Sequence, residues 1–419
     1  MKIGYCLTSD ELPSDDNFVG IRFINNKPQV VFPHGFKISE DESERRQDTF
    51  RLLSTIIKLS EHREGEKSID AEDNIKTFPL SSYQYVINDY LKNGFYVENE
   101  TRYIKSNKGK INWKRTINLE TPQIDGNNVV YLELQVKQNR INENNLLTQI
   151  HKYCVYKSFF YFGWLYLSYS YLPEKPQIKE DTDLFVATLK GALNNTFNDE
   201  KKLLFQSMIN ILLNDETNID TNNTNIGINK FDHVWESLVD YTYGEANKEK
   251  YFPHGYYFDI SSNKNEMISE LRPDTIMKYK GKTFVLDAKY YQYGLTNNIK
   301  SLPATESLQK QVTYGKYIDE HFYEADENKV FNAFVLPYMS DLEEENSIRT
   351  EFKTIGTVDW EKYNKDTKNY AYILCMLVDT KDIIKNYVKH NDNEIEELAV
   401  LIEKSLNKNK DKINELYKK

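Results

Sequence analysis

Leu271-Arg272-Pro273-Asp274-Thr275-Ile276-Met277-Lys278-Tyr279-Lys280-Gly281-Lys282-Thr283-Phe284-Val285-Leu286-Asp287-Ala288-Lys289-Tyr290-Tyr291 is the stretch on which the reading of this 419-residue chain turns. Apolar and alternating runs flank Lys280-Gly281-Lys282, a pattern that predicts strand, tight turn and strand, with Gly281 supplying a permissive backbone. The turn falls midway between Asp274 and Asp287, so folding there sets the two carboxylates opposite each other at one end of a twisted sheet. Side chains alternate along a strand, which puts Asp287 and Lys289 on one face and Ala288 on the other. Two acids and a lysine are therefore expected in one small volume, on an exposed strand end.

Pro-Asp and Asp-x-Lys are each common by chance, and a solvated hairpin with ordinary surface charges is the plain alternative. Their combination, with a hydrophobic strand leading into Asp287, favours a site. Mg²⁺ takes hard oxygen ligands and keeps several of its waters, so Asp274, Asp287 and the main-chain carbonyl of Ala288 suffice to hold it against a phosphate. Such a metal activates water and offsets charge in the transition state. Lys289 would orient or deprotonate that water, or steady the developing negative charge. The expected chemistry is metal-dependent phosphodiester hydrolysis, with Mn²⁺ able to substitute for Mg²⁺.

Pro273-Asp274 followed by Asp287-Ala288-Lys289 resembles the PD-(D/E)xK nuclease superfamily. Leu-Arg-Pro-Asp together with Leu-Asp-Ala-Lys-Tyr-Tyr is similar to its McrC and LlaJI-type restriction branch. Other segments fit that branch: Phe231-Asp232-His233-Val234-Trp235-Glu236, Leu302-Pro303-Ala304, Lys310-Gln311-Val312-Thr313-Tyr314-Gly315, and Asn332-Ala333-Phe334-Val335-Leu336-Pro337-Tyr338. A weaker similarity lies at Lys108-Gly109-Lys110-Ile111-Asn112-Trp113 and the helix after Asn144. The resemblance implies an α/β chain whose C-terminal domain is a mixed sheet flanked by helices. It also implies DNA cleavage under the control of an AAA+ GTPase of the McrB kind, and double-strand cleavage would take two copies.

Two further residues enter partly through the resemblance. From Pro303 to His321 the pattern is helical, with Leu308, Val312, Gly315, Ile318 and Phe322 on one face and Gln311 in its middle. A buried amide needs hydrogen-bond partners, and the family places such a glutamine beside the metal; the alternative is a tolerated polar residue at a helix–sheet seam. Tyr314, at the stripe's edge, reads as packing. In the helix from Asn229 to Tyr243, Phe231, Val234, Trp235 and Leu238 form the apolar face, which leaves Glu236 opposite and solvated. The family carries an acid on this helix that reaches the metal, and Glu236 and Asp232 both remain candidates for it.

Lys and Arg total 54 against 64 acids, a net charge of −10, which counts against autonomous tight binding to nucleic acid. Between Thr101 and Ile117, Arg102, Lys105, Lys108, Lys110, Lys114 and Arg115 occur without an acid, interleaved with Tyr103 and Trp113. This segment reads either as a grip for phosphate or a partner's acidic rim, or as an exposed hairpin bent at Gly109 with lysines guarding its edge. Cys6, Cys154 and Cys375 are far apart and odd in number, which argues against a disulfide framework or a zinc site. The aromatic-rich run Phe159 to Leu172 is too short to span a bilayer and reads as a buried helix. The start reads as a strand and not a secretory signal, so a cytoplasmic protein is expected.

Residues 1–137 are expected to form an α+β module that docks a partner or contacts DNA, with a strand pair turning at Asn25-Asn26, a helix near Arg45 to His62 and a strand from Val129 to Val136. A helical connector over 138–216, an Asn/Thr-rich linker over 217–229 and the nuclease domain over 230–419 follow. Val330 to Tyr338 and Tyr370 to Val378 read as strands, and the Lys-rich end from Lys404 as a solvated helix. No Gly-rich phosphate loop occurs, so the chain is not expected to bind GTP or ATP by itself. Two competing functions stand beside the partner-controlled nuclease: a self-sufficient type II-like endonuclease, and a non-enzymatic activator of a partner NTPase.

Overall fold

The computed structural model describes residues 6–13, 16–24, 27–64, 79–142, 145–167, 171–214, 225–259, 264–324, 327–340, 352–359, 368–386 and 390–417. In chain order, its first elements are β1 (Cys6–Thr8), β2 (Val19–Ile24), β3 (Lys27–Phe32) and α1 (Glu42–Glu64). Next come α2 (Leu80–Asn93), β4 (Glu98–Lys105), β5 (Lys110–Ile111), α3 (Trp113–Leu119), β6 (Gln123–Asp125), β7 (Asn128–Val130), β8 (Gln135–Asn142), α4 (Leu146–Tyr166), α5 (Thr182–Asn195) and α6 (Asp199–Asn214). The last stretch carries β9 (Asn225–Ile228), α7 (Phe231–Tyr243), β10 (His254–Asp259), β11 (Lys264–Glu270), β12 (Thr275–Tyr279) and β13 (Lys282–Ala288). It continues through α8 (Tyr293–Thr296), α9 (Thr305–Phe322), β14 (Val330–Tyr338), β15 (Phe352–Asp359), β16 (Tyr372–Asp379), α10 (Thr380–Asn386) and α11 (Asp392–Tyr417). The fold is mixed α/β.

Two compact units result. One spans Phe78–Thr221; the other joins Ile3–Thr77 to Asn222–Lys419. This division differs from the expected one, in which residues 1–137 stood apart from the C-terminal domain. The cause is strand pairing that no local pattern shows. β9, inside the expected linker, pairs antiparallel with β2 and completes a four-stranded sheet of order β1-β3-β2-β9. Ile226 and Ile228 are buried there on either side of Gly227, a short alternation hidden among asparagines. α1 is tied into the same unit by Lys381, whose ammonium lies 2.9 Å from both Asp48 and Glu44.

The larger unit is organised around a five-stranded sheet of order β12-β13-β14-β16-β15. β13, β14 and β16 run parallel, and the two edge strands run antiparallel to their neighbours. Every residue of β14 and β16 is buried, as a continuous apolar run covered on both faces requires. α9 makes the crossover between parallel β13 and β14. Tyr314 and Ile318 of α9 pack with Tyr251, Ile276, Val285 and Val330, so Val285 and, by alternation, Asp287 and Lys289 lie on the α9 face of β13.

The buried stripe of α9 is rotated from the expected one. Gln311, Tyr314, Gly315, Ile318 and Asp319 are buried, whereas Phe322 is 41% exposed. Asp319 is held inside by Lys368, 2.9 Å away. The buried face of α11, which includes Leu398, Ala399 and Ile402, precedes the Lys-rich end, and from Lys404 onward Leu406 alone among the described residues is buried.

In the smaller unit, α4 is buried along most of its length and packs with α2, α5 and α6. The expected strand over Val129 to Val136 is broken into the end of β7 and the start of β8. β4 and β5 do not pair with each other; both pair with β8, in the order β4-β8-β5. The basic segment is thus the two flanks of a sheet and not a hairpin, and Lys105 meets Glu120 at 2.9 Å, an acid outside the sequence window. The expected turn residues Asn25 and Asn26 lie outside the described residues, although β2 and β3 on either side are antiparallel partners.

Gly315 exposes the weight of packing over propensity. A Cβ there would stand 2.6 Å from Asn332 Nδ2 and 2.7 Å from Tyr370 Cβ. Helix propensity alone favours alanine by up to about 1 kcal/mol. Overpacking costs about 1–3 kcal/mol and here outweighs it, so Gly315→Ala is expected to lower the urea midpoint of the larger unit; a raised midpoint would contradict this packing.

Candidate active site

The hairpin closes through Lys280 and Gly281, at φ 44° and 74°. Two successive residues in the left-handed region make the turn whose twist suits antiparallel strands. Its register runs from Tyr279↔Lys282 to Thr275↔Leu286, and one further step places Asp274 opposite Asp287. Ala288 N–H donates to Asp274 Oδ2 at 3.0 Å, and Lys289 Nζ lies 2.7 Å from Asp287 Oδ2. The structure brings Asp274, Asp287, Ala288 and Lys289 together, but not on an exposed end: Asp287 is 8% exposed, because β14 and α9 cover its strand.

The electrostatics follow from that enclosure. Burial, and then the like charge of Asp287, push the Asp274 carboxyl up to about 7, and a hydrogen bond between the two acids works in the same direction. Burial alone would lower the Lys289 ammonium, but Asp287 and Asp274 outweigh it and hold the group above its ordinary range. Lys289 is therefore a cation in this arrangement and not a ready base. Lys248, from the short turn before β10, reaches the same region: its Nζ donates to the Asp274 carbonyl at 2.8 Å and to Asp240 Oδ2 of α7 at 2.6 Å.

Gln311 is 1% exposed and donates from Nε2 to Val285 O at 2.6 Å, two residues before Asp287. Its Oε1 is buried with no hydrogen-bond partner among the described residues. One turn on, Tyr314 donates its hydroxyl to Arg272 O at 3.3 Å. Burial, then the charges of Asp287 and Asp274, push this phenol up to about 12, so Tyr314 faces the acids as well as packing. Its spacing of three from Gln311 was the available signal. Lys248 had none.

Glu236 is placed differently. Its carboxylate lies 3.7 Å from His233 Nδ1 and is 30% exposed, and among the described residues no group of three or more His, Cys, Asp or Glu could hold a metal ion. Asp232 lies within the field of Tyr290, whose ring stacks on His34 at 4.4 Å and whose hydroxyl accepts from His34 N–H at 2.7 Å. The residue after Lys289 is thereby gripped by the loop after β3.

An all-oxygen donor set of two converging carboxylates fits a hard divalent cation. Asp274 and Asp287 are the side chains able to hold one. Asp287 stands close enough to raise the proton affinity of Asp274, a repulsion that a dication would relieve.

A mixed α/β body with an acid–acid–lysine cluster at the end of a buried hairpin defines the class of protein, and comparison specifies it. The family model of the LlaJI restriction endonuclease matches residues 18–379. The chain belongs to that family of restriction nucleases. It is similar to the Type II restriction enzyme BsuMI component YdjA of Bacillus subtilis (strain 168), with 25% identity over 414 residues, 94% of this chain and 85% of that one. A refined half-complex from a tetradecameric assembly of Thermococcus gammatolerans McrB AAA+ hexamers with bound McrC aligns over 92% of this chain and 83% of that one. Its identity is 14% and its TM-score 0.35.

The raised Asp274 has a consequence for stability without metal. The folded chain holds this proton up to about pH 7, whereas the unfolded chain releases it near 3.9. Stability therefore falls as pH rises from about 4 to about 7, by on the order of 4 kcal/mol at most, and is level above. In EDTA, Asp274→Asn is expected to flatten that fall and to be the more stable form at pH 8, read from thermal midpoints across pH. Parallel wild-type and variant profiles would remove the proposed charge conflict.

Proposed function

We infer that this chain is the Mg²⁺-dependent DNA endonuclease subunit of a multi-component restriction system, built on a PD-(D/E)xK-type centre. The observation that carries the reading is the convergence of the Asp274 and Asp287 carboxylates, with the Lys289 ammonium 2.7 Å from Asp287. Family membership supports it, and the similar protein of Bacillus subtilis is itself described as a component of a restriction enzyme.

Asp274, Asp287 and the carbonyl of Ala288 would hold the cation. When bound, Mg²⁺ supplies a Lewis acid that makes water a better nucleophile and offsets charge on the phosphoryl oxygens. Lys289, kept protonated by its acidic neighbours, orients the attacking water and stabilises charge developing on the phosphate. Gln311 fixes β13 through Val285 and offers its unpartnered Oε1 to a water in the site. Lys248 holds the backbone of Asp274, so that the carboxylate does not retreat from its like-charged neighbour. Glu236 is assigned a supporting part, as an acid on the helix that carries Trp235, whose indole N–H donates to Val335 O at 3.2 Å.

Control by an AAA+ GTPase of the McrB kind is proposed from the motif resemblance. A net charge of −10 supports dependence on a partner for DNA loading. Plasmid incubated with the chain, its neighbouring gene products and nucleotide is expected to be cut in Mg²⁺ or Mn²⁺ and left intact in EDTA, and the chain alone is expected to cut it little. Asp287→Asn or Lys289→Gln should lower the rate at least about a hundredfold, with circular dichroism retained. Cleavage in EDTA, or wild-type rates in both variants, would overturn the site. Efficient sequence-specific cutting by the chain alone would replace partner control with the self-sufficient type II-like reading.

A further inference from the structure

A two-stranded ribbon leads directly into the acid pair. Among the described residues, β10 and β11 pair only with each other, from His254↔Glu270 to Asp259↔Lys264, with a register shift between Gly255 and Tyr256. Such a bulge increases local twist and re-aims the strand beyond it. The root is fixed. Tyr251 and Phe252 are buried, Leu271 N–H donates to Pro253 O at 2.9 Å, and Tyr314 holds Arg272 O.

Beyond the root, Tyr256, Tyr257 and Phe258 are 57%, 64% and 65% exposed. Consecutive side chains point to opposite faces of a strand, so aromatic rings stand on both faces of the ribbon. Neither face of β10 is packed on a core. Each such ring forgoes burial that a core position would give it, and large exposed apolar groups clustered at one element mark a binding site.

We propose that the ribbon is a DNA-contacting element whose rings stack on bases flanking the scissile phosphate, a proposal that rests on the nuclease reading. Reach supports it. Tyr256 stands opposite Met267 and Phe258 opposite Asn265, three and five residues before Glu270. At about 3.3 Å per residue the rings lie roughly 10–17 Å from the root, and residues 271–274 add at most about 13 Å. A DNA strand advances about 3.4 Å per nucleotide. The rings therefore lie no farther from Asp274 than the length of about nine nucleotides of a strand.

Charge selects the mode of contact. From His254 to Arg272 the segment carries Lys264 and Arg272 against Asp259, Glu266 and Glu270, so it offers phosphate no net attraction. Base faces remain, and aromatic rings stack on them whatever the sequence, because every base has a π-face.

The test uses the full-length chain in EDTA at low salt, with a short fluorescein-labelled oligonucleotide carrying 5-iodouracil, both single-stranded and duplex. Photocrosslinks are expected in the peptide containing Tyr256, Tyr257 and Phe258. Replacing all three residues by alanine should weaken binding at least about tenfold, whereas Tyr256→Phe with Tyr257→Phe should retain it, with equal thermal midpoints in both variants. Unchanged affinity of the alanine variant, or crosslinks confined to other segments, overturns the proposal. So does an alanine variant that binds DNA normally but no longer captures the neighbouring gene products, which would make the ribbon a protein-docking surface. Plasmid cleavage by the wild type with its neighbouring gene products and nucleotide separates the two readings: crosslinks at the ribbon without metal-dependent cleavage sink the nuclease assignment and, with it, the flanking of a scissile phosphate, and leave DNA contact by the ribbon as the result.

Discussion

Asp274 and Asp287 repel each other where little water is available to screen them, and the surrounding structure is arranged to keep them there. Left free, the end of an antiparallel hairpin would splay under that repulsion. It is restrained from several sides. Ala288 N–H holds the Asp274 carboxylate, Lys289 neutralises Asp287, and Lys248 anchors the Asp274 carbonyl to α7. Val335 O is the node behind the site, accepting from Lys289 N–H at 2.9 Å and from the Trp235 indole at 3.2 Å. One carbonyl of the buried central strand thus fixes both the lysine's backbone and the helix that flanks it.

The N-terminal segment serves the same restraint from another direction. Tyr290 follows Lys289 and is enclosed by Phe231, Trp235 and His34, and its hydroxyl accepts the His34 N–H. The His34 ring nitrogen Nδ1 in turn lies against the Asp10 carboxylate. Residues near the start of the chain therefore brace the site, which explains why they belong to the same compact unit as the hairpin. The unit spanning Phe78–Thr221 interrupts that body in sequence, as an insertion between two elements tolerates when the parent's strands pair across the gap.

The legible parts of this architecture were those encoded locally. The β12–β13 hairpin announces itself through its turn residues and flanking apolar runs, β14 through nine consecutive buried positions, and α7 through a clean helical stripe. Non-local pairings left no comparable trace. β9 is four residues in a polar run, and only β2, some two hundred residues earlier, makes it a strand. Periodicity also misjudged α9, where it favoured Phe322 over Tyr314 and Asp319; an aspartate can be buried when Lys368 arrives from a distant loop, and sequence spacing does not show that lysine. Charge windows failed for the same reason at Lys105, whose acidic partner Glu120 folds back from beyond the window.

The cations around the acid pair bear on how DNA could be held. Lys289 is engaged by Asp287, Lys248 by Asp240, Arg272 by Glu270 at 2.7 Å, and Lys278 donates to Thr283 and Tyr323. These side chains are committed to the protein's own acids and hydroxyls, so phosphate would have to displace an existing partner to gain each contact. Counterion release, the usual source of affinity for nucleic acid, is correspondingly weak at this centre. Affinity must then come from surfaces that need no free cation, or from a second protein that brings the DNA. Exposed aromatic rings rooted four residues before Asp274 satisfy the first requirement, and the absence of a Gly-rich phosphate loop in the sequence is in keeping with the second, since any nucleotide-driven loading would have to reside in the partner.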